Sequence, residues 1–228
     1  MNKLIYHGHS CFELETQSGH RLMFDPWLDE NPKADIKAAS VEKLDYVLCS
    51  HGHFDHFADA VPLCTRTGAT LLGVFELVAF AQSKGVENAQ GMNVGGGFEF
   101  PFGYAKLTPA LHSGTVHGDD EGKFTGVACG WWLDLGGTRL YHAGDTALLA
   151  DMQLLQGRVD IALLPIGDNF TMGPEDAARA VEMIRPRVVI PMHYNTFPVI
   201  EQDPAEFRRL VGSAADVQIL EPGATYEF

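Results

Sequence analysis

Three histidines and an aspartate fall within six residues of sequence, from His51 to His56. Neutral imidazole nitrogens and carboxylate oxygens are the ligands that borderline divalent ions such as Zn²⁺ prefer. Such side chains are costly to crowd together unless an ion or hydrogen bonds satisfy them. We therefore predict a metal site in the segment Ser50-His51-Gly52-His53-Phe54-Asp55-His56. A solvated histidine-rich loop is the alternative.

The residues before this segment indicate how it is positioned. Residues 44–50 form a short apolar run rich in strand formers, so the histidines begin where a buried strand is predicted to end. In extended backbone, residues two apart face the same side, which would let His51 and His53 bind one ion. Asp55 and His56 would join them only if the chain turns, and Gly52 makes that turn easier.

The segment resembles the His-x-His-x-Asp-His signature of the metallo-β-lactamase-fold hydrolases, and later residues extend the resemblance over essentially the whole chain. His112 follows a predicted strand, Asp145 stands in a Gly-Asp-Thr turn, and His193 follows another apolar run. Gly-His-Ser at residues 8–10 and Asp-Pro at residues 25–26 resemble one branch of that superfamily. That branch contains the ascorbate-phosphate lactonases and their uncharacterised relatives.

The resemblance implies a site with two divalent metal ions. The ligands that it implies are His51, His53 and His112 for one metal and Asp55, His56 and His193 for the second, with Asp145 between them. Asp55 and Asp145 would be the catalytic residues. Two ions about 3.5–4 Å apart lower the pKa of a shared water, so a metal-bridging hydroxide is the implied nucleophile. Zn²⁺ suits an imidazole-rich site best, with Mn²⁺ and Fe²⁺ as alternatives.

The predicted elements favour an α/β fold, because strand-like and helix-like runs alternate along the chain. The resemblance implies a four-layer αββα sandwich of the metallo-β-lactamase type, as a single domain over residues 1–228. Residues 3–14 are expected to form one strand that pairs with residues 21–24. A helix over residues 57–64 should be interrupted near Pro62. Further helices are predicted over 75–84, 174–184 and 204–211, and buried strands over 69–74, 160–165 and 188–191.

The composition limits the cellular locations and binding partners that we expect for this protein. The formal net charge of −14 makes nucleic acid a less favoured partner. No apolar run reaches the roughly 18 residues of a membrane span, and the N-terminus does not resemble a signal peptide. We therefore expect a cytoplasmic protein without a membrane partner, and a homo-oligomer stays open. The four scattered cysteines favour reduced core thiols over disulfides.

Charge also indicates the substrate class. Two ligand carboxylates and a hydroxide would offset three of the four positive charges of two dications, so the site should attract a small anionic substrate. A phosphodiester and a phosphorylated lactone rank first. A nuclease acting on single strands is one alternative, and a metal-binding module with vestigial activity is another. Oxygen-reducing diiron relatives carry Glu where this chain has His53, which disfavours redox chemistry.

Several polar residues beside the predicted ligands are candidates for supporting roles. Asp25 would accept a hydrogen bond from a ligand histidine, although a turn aspartate before proline is equally consistent with the pattern. The other candidates for substrate contact or support are His9, Asn169, Thr171, Tyr194 and Asn195, with ordinary structural hydrogen bonds as the alternative. His9 and Tyr194 are also candidates for a general acid. His142 is predicted to be structural, and residues 115–125 to form a mobile loop at the rim.

Overall fold

A computed structural model describes residues 1–228 as two seven-stranded sheets with helices on their outer faces. The strands are β1 (Lys3–Tyr6), β2 (Phe12–Glu15), β3 (Arg21–Phe24), β4 (Tyr46–Leu48), β5 (Thr70–Val74), β6 (Ala89–Met92), β7 (Gly97–Phe100), β8 (Gly103–Pro109), β9 (Cys129–Asp134), β10 (Arg139–His142), β11 (Ile161–Pro165), β12 (Val188–Met192), β13 (Asp216–Val217) and β14 (Thr225–Glu227). The first sheet has the order β14-β1-β2-β3-β4-β5-β6 and the second β13-β12-β11-β10-β9-β8-β7. The α/β sandwich expected from the sequence is confirmed.

Five α-helices cover the sheets. They are α1 (Phe54–Phe57), α2 (Ala60–Thr67), α3 (Phe75–Ser83), α4 (Pro174–Ile184) and α5 (Pro204–Val211). Helix α4 shows why they form: Pro174 occupies the first turn, and Ala177, Ala180, Val181 and Ile184 are buried along one face. None of the helices combines the length and apolarity needed to cross a membrane.

The core lies between the two sheets. The central strands β11 and β12 are buried at every position, because they are parallel strands covered on both faces. Apolar side chains of both sheets belong to one continuous cluster. The four cysteines are buried and unpaired, and burial raises the pKa of each thiol.

Two details of the predicted elements are wrong. Residues 3–14 do not form one strand, because the chain turns at Gly8 (φ 95°) and His9 (φ 60°) and so divides into β1 and β2. Strand β2 then pairs with β3 as expected, with Phe12 opposite Phe24. The helical break falls at residues 58–59, before Pro62, since proline is tolerated in the first turn of α2.

Parallel strands bring their carboxyl ends to one edge of the sandwich. Strands β3, β4 and β5 run parallel in the first sheet, and β10, β11 and β12 do so in the second. Side chains that follow these strands therefore meet at the same edge, which is where α/β folds place their binding sites.

His142 lies beneath this edge as part of the core. It is fully buried, its Nε2 atom is 3.0 Å from the Ser10 carbonyl oxygen, and its ring stacks on Phe24 with the centroids 5.1 Å apart. These contacts are those of a structural residue, as the sequence indicates.

We expect His142→Ala to lower the free energy of unfolding by about 3 kcal/mol, because it removes a buried ring and leaves a carbonyl unpaired. Urea unfolding of metal-loaded protein measures this. His20→Ala is the control, since His20 is only half-buried at the β2–β3 turn. Equal stabilities of the two variants would contradict the structural role.

Candidate metal centre

The predicted ligands follow strand ends in both sheets. His51 and His53 come after β4, His112 after β8, Asp145 after β10 and His193 after β12. Gly144 lets the chain turn after β10: its φ is 62°, and a Cβ atom there would lie 2.5 Å from the carbonyl oxygen of Cys129. Local sequence therefore aims side chains from separate strands at one point.

Three imidazoles form the first group of possible metal ligands. His51 Nε2 lies 3.0 Å from His53 Nδ1, which in turn lies 3.3 Å from His112 Nε2. All three nitrogens fall within 4.8 Å of one another. Ring nitrogens converge in this way when they share a proton or a cation, because their lone pairs otherwise repel. The group could hold one ion.

A second group lies beside the first and is centred on carboxylates. Asp145 Oδ2 is 3.0 Å from His193 Nε2, 3.3 Å from His56 Nε2, 3.6 Å from His112 Nε2 and 4.0 Å from His51 Nε2. Asp55 Oδ2 is 3.8 Å from His193 Nε2 and 3.9 Å from His56 Nε2. One aspartate oxygen is thus shared by the two groups, and all seven predicted ligands come together.

The donor atoms fit divalent ions. His56 Nε2, His193 Nε2 and Asp145 Oδ1 are buried and make no well-oriented hydrogen bond within the protein, although both nitrogens lie close to Asp145 Oδ2. Buried polar atoms without partners are costly, so these atoms require another binding partner. A set composed only of imidazole nitrogens and carboxylate oxygens matches Zn²⁺ and its first-row neighbours.

Electrostatics within the cluster agree with its need for positive charge. Burial lowers the pKa of His193, but Asp145 and Asp55 together outweigh burial and raise it to about 9. Burial raises the pKa of Asp145, yet His193 and His56 hold it well below its usual range. Without metal, protons on these imidazoles compensate the carboxylates, so metal binding must release them.

Asp25 and Ser50 orient two of the clustered histidines. His56 Nδ1 lies 2.8 Å from Asp25 Oδ2, to which the Ser50 hydroxyl also donates at 2.6 Å. Ser50 Oγ in turn lies 2.9 Å from His51 Nδ1, and the Ser50 backbone N–H donates to Asp25 Oδ1 at 2.6 Å. With both Nδ1 atoms satisfied, both Nε2 atoms are left to face the site. No pattern in the sequence indicates a role for Ser50 beyond its place before His51.

His9 contacts the Asp55 carboxylate and orients it. Its Nε2 atom is 3.1 Å from Asp55 Oδ2, and its Nδ1 atom is 2.6 Å from the Thr196 hydroxyl. A neutral imidazole uses one nitrogen as donor and the other as acceptor, so Thr196 can donate to Nδ1 while Nε2–H donates to Asp55. Burial and the neighbouring His193 lower the pKa of His9 to about 3, which favours this neutral form. Nothing in the sequence pointed to Thr196.

A cavity of about 630 Å³ opens on the cluster. Thr115, Val116 and His117 line part of it, so the loop predicted at the rim does begin there. That loop packs closely on the histidine segment: a Cβ atom at Gly52 would lie 2.8 Å from Val116 Cα, and the His117 N–H donates to the Gly52 carbonyl. The mobility of the loop stays a prediction.

The remaining polar candidates do not line this cavity. The Asn195 side chain accepts from the Gln202 backbone, and the Thr171 hydroxyl donates to the Met172 carbonyl. Asn169 is exposed on a tight turn. Tyr194 is half-buried, and burial raises its pKa to about 12, which makes it a poor general acid near neutral pH. The hydrogen bonds of Asn195 and Thr171 stabilise their own loops.

Comparison with known proteins identifies the family. The model of the beta-lactamase superfamily domain matches residues 3–193. The chain belongs to this superfamily. A UPF0173 metal-dependent hydrolase of Heliobacterium modesticaldum is 47% identical over 234 residues, covering 99% of this chain and 97% of the relative. One of Enterococcus faecalis is 46% identical over 226 residues and 98% of both chains.

Among solved structures, the metallo hydrolase Igni18 of Ignicoccus hospitalis superposes with a TM-score of 0.89 at 39% identity, over 100% of both chains. The chain described here is therefore a metal-dependent hydrolase, as its sequence predicts. The finer resemblance to the lactonase branch stays a prediction.

We expect Asp25→Asn to weaken metal binding by about 10- to 100-fold, because the carboxylate accepts three hydrogen bonds on its two oxygens, whereas either orientation of the amide turns its NH₂ group towards a donor. The backbone at Asp25 has φ 43°, a conformation that asparagine tolerates. Competition with a chromophoric chelator measures the affinity. The exposed Glu30→Gln is the control for loss of one charge, and equal affinities would refute the role of Asp25.

Proposed function

We propose that this hydrolase holds two divalent ions and cleaves a small anionic ester. The first ion would be bound by His51, His53 and His112, and the second by Asp55, His56 and His193, with Asp145 between them. The observation that carries the proposal is the position of Asp145 Oδ2, which lies within 4.0 Å of a nitrogen in both histidine groups. A single carboxylate oxygen so placed suits a pair of ions better than one.

A pair of divalent ions supplies a nucleophile from water at neutral pH and polarises the bond to be cleaved. The protein contributes the orientation of its ligands. Asp25 and Ser50 fix the rings of His56 and His51, and His9 fixes Asp55. No cysteine competes as nucleophile, because all four thiols are buried with raised pKa values.

Charge supports an anionic reacting group. Asp55 and Asp145 offset only two of the four positive charges of two dications, and no lysine or arginine lines the cavity. The metal ions would then supply the positive charge that binds the substrate. A phosphodiester carries its negative charge at the reacting group, whereas a phosphorylated lactone carries it on a separate phosphate, and each is small enough for a cavity of about 630 Å³.

The same observations disfavour a nuclease. Nucleic-acid binding relies on lysine and arginine along the phosphate backbone, whereas this chain carries a net charge of −14. Membrane partners are not part of the proposal. Zn²⁺ is the metal we infer from the imidazole-rich ligand set, with Mn²⁺ or Fe²⁺ as substitutes when they are more available.

We expect His51→Ala and Asp145→Ala each to abolish turnover, with a loss of at least about 10³-fold in kcat/KM, because each removes a proposed metal ligand. Hydrolysis of a panel of phosphodiesters and lactones, with elemental analysis of each variant, measures both effects. His20→Ala removes a histidine outside the cluster and should behave like the unaltered protein. Retained turnover in either ligand variant would contradict the assignment.

Chelation separates the enzyme from a metal-binding module. We expect elemental analysis to find two ions per chain, and dialysis against a chelator to remove activity that Zn²⁺ or Mn²⁺ then restores. A bound ligand also stabilises the folded state, so the melting temperature should fall in parallel. If protein with two ions cleaves no member of the panel and chelation changes only the melting temperature, the module is the correct description. Cleavage of single-stranded nucleic acid, lost in Asp145→Ala, would instead indicate the nuclease.

A further inference from the structure

Beyond the clustered histidines and aspartates, the cavity wall is mostly apolar. Its apolar side chains are Phe54, Val116, Phe170, Phe197 and Val199. The other lining residues are a serine, a threonine and the imidazole of His117, and none is a lysine or an arginine. A wall of this kind binds hydrocarbon and offers a charged group no lysine or arginine.

Part of this wall is already packed in the free protein. Trp27 is 2% exposed and contacts the Phe54 ring edge-on, with the centroids 5.6 Å apart. It also stacks on Phe197 at 5.5 Å. Aromatic rings prefer these offset and edge-on arrangements, so Trp27 fixes both rings without help from a ligand. The apolar surface beside the metal ligands is therefore preformed.

Phe170 adds a ring from another loop, between β11 and α4. The two preceding residues, Asp168 and Asn169, both have left-handed backbone, with φ values of 59° and 49°. Aspartate and asparagine adopt this conformation more readily than most other non-glycine residues, so local sequence favours this turn. The turn leaves Phe170 52% exposed, although it lines the cavity. Because the ring lines the cavity and is exposed in the free protein, it is available to contact a ligand there.

We propose, building on the hydrolase function proposed above, that the substrate carries a single negative charge at its reacting group and that its non-leaving substituent is an uncharged aromatic group that lies against this wall. An aryl phosphodiester fits this description. A phosphorylated lactone does not, because its additional phosphate would lie in the cavity with no lysine or arginine to pair with. Hydrolysis forms one P–O bond from the oxygen of water and breaks the ester P–O bond, and the leaving oxygen takes a proton.

Two esters with the same charge and leaving group test the proposal. We expect metal-loaded protein to hydrolyse phenyl 4-nitrophenyl phosphate with a kcat/KM about 10- to 30-fold higher than methyl 4-nitrophenyl phosphate, since a phenyl group buries far more apolar area than a methyl group. Phe170→Ser should reduce that ratio at least about threefold. Phe98→Ser is a matched control: Phe98 is 50% exposed on β7 and does not line the cavity, so the ratio should not change.

A binding measurement separates this inference from the proposed reaction. We expect calorimetry to show tighter binding of phenylphosphonate than of methylphosphonate to metal-loaded protein, by about tenfold, and Phe170→Ser to reduce the difference. If neither ester is cleaved but this preference holds, the proposed reaction fails and the aromatic site stands. Equal binding of the two phosphonates, equal hydrolysis of the two esters, or a ratio untouched by Phe170→Ser overturns the inference.

Discussion

The contact between the buried Asp145 carboxylate and the imidazoles around it is the interaction on which the whole site depends. His51 and His56 approach it from the first sheet, and His112 and His193 approach it from the second. Neither sheet alone could assemble this group. The continuous apolar cluster between the sheets therefore does more than stabilise the fold, because its packing holds together polar atoms that would otherwise separate into water.

Short-range patterns predicted the elements that carry the site. The apolar runs of β4, β11 and β12 were recognisable because each strand is buried, and helix α4 because its apolar residues follow the helical period. The division of residues 3–14 was not recognisable. It depends on left-handed backbone at His9, a residue whose side chain contacts Thr196 far along the chain. A contact between residues so far apart in the chain cannot be predicted from a short window of sequence.

The predicted metal ligands divide in the same way. The close spacing of the residues from His51 to His56 predicts a metal site by itself. A lone histidine such as His112 is predicted as a ligand only through the resemblance to a known family. Residues that orient ligands, such as Ser50 and Thr196, belong to common polar types and have no pattern at all. Asn169 and Asn195 were chosen because they follow strand ends, but position in the chain does not determine where a side chain points.

The Asp25 carboxylate connects one histidine from each of the two groups of possible metal ligands. One of its oxygens contacts His56 directly and reaches His51 through the Ser50 hydroxyl. If two ions bind as proposed, each would meet an imidazole that this network already orients without metal, so neither ion would have to order its ring on arrival.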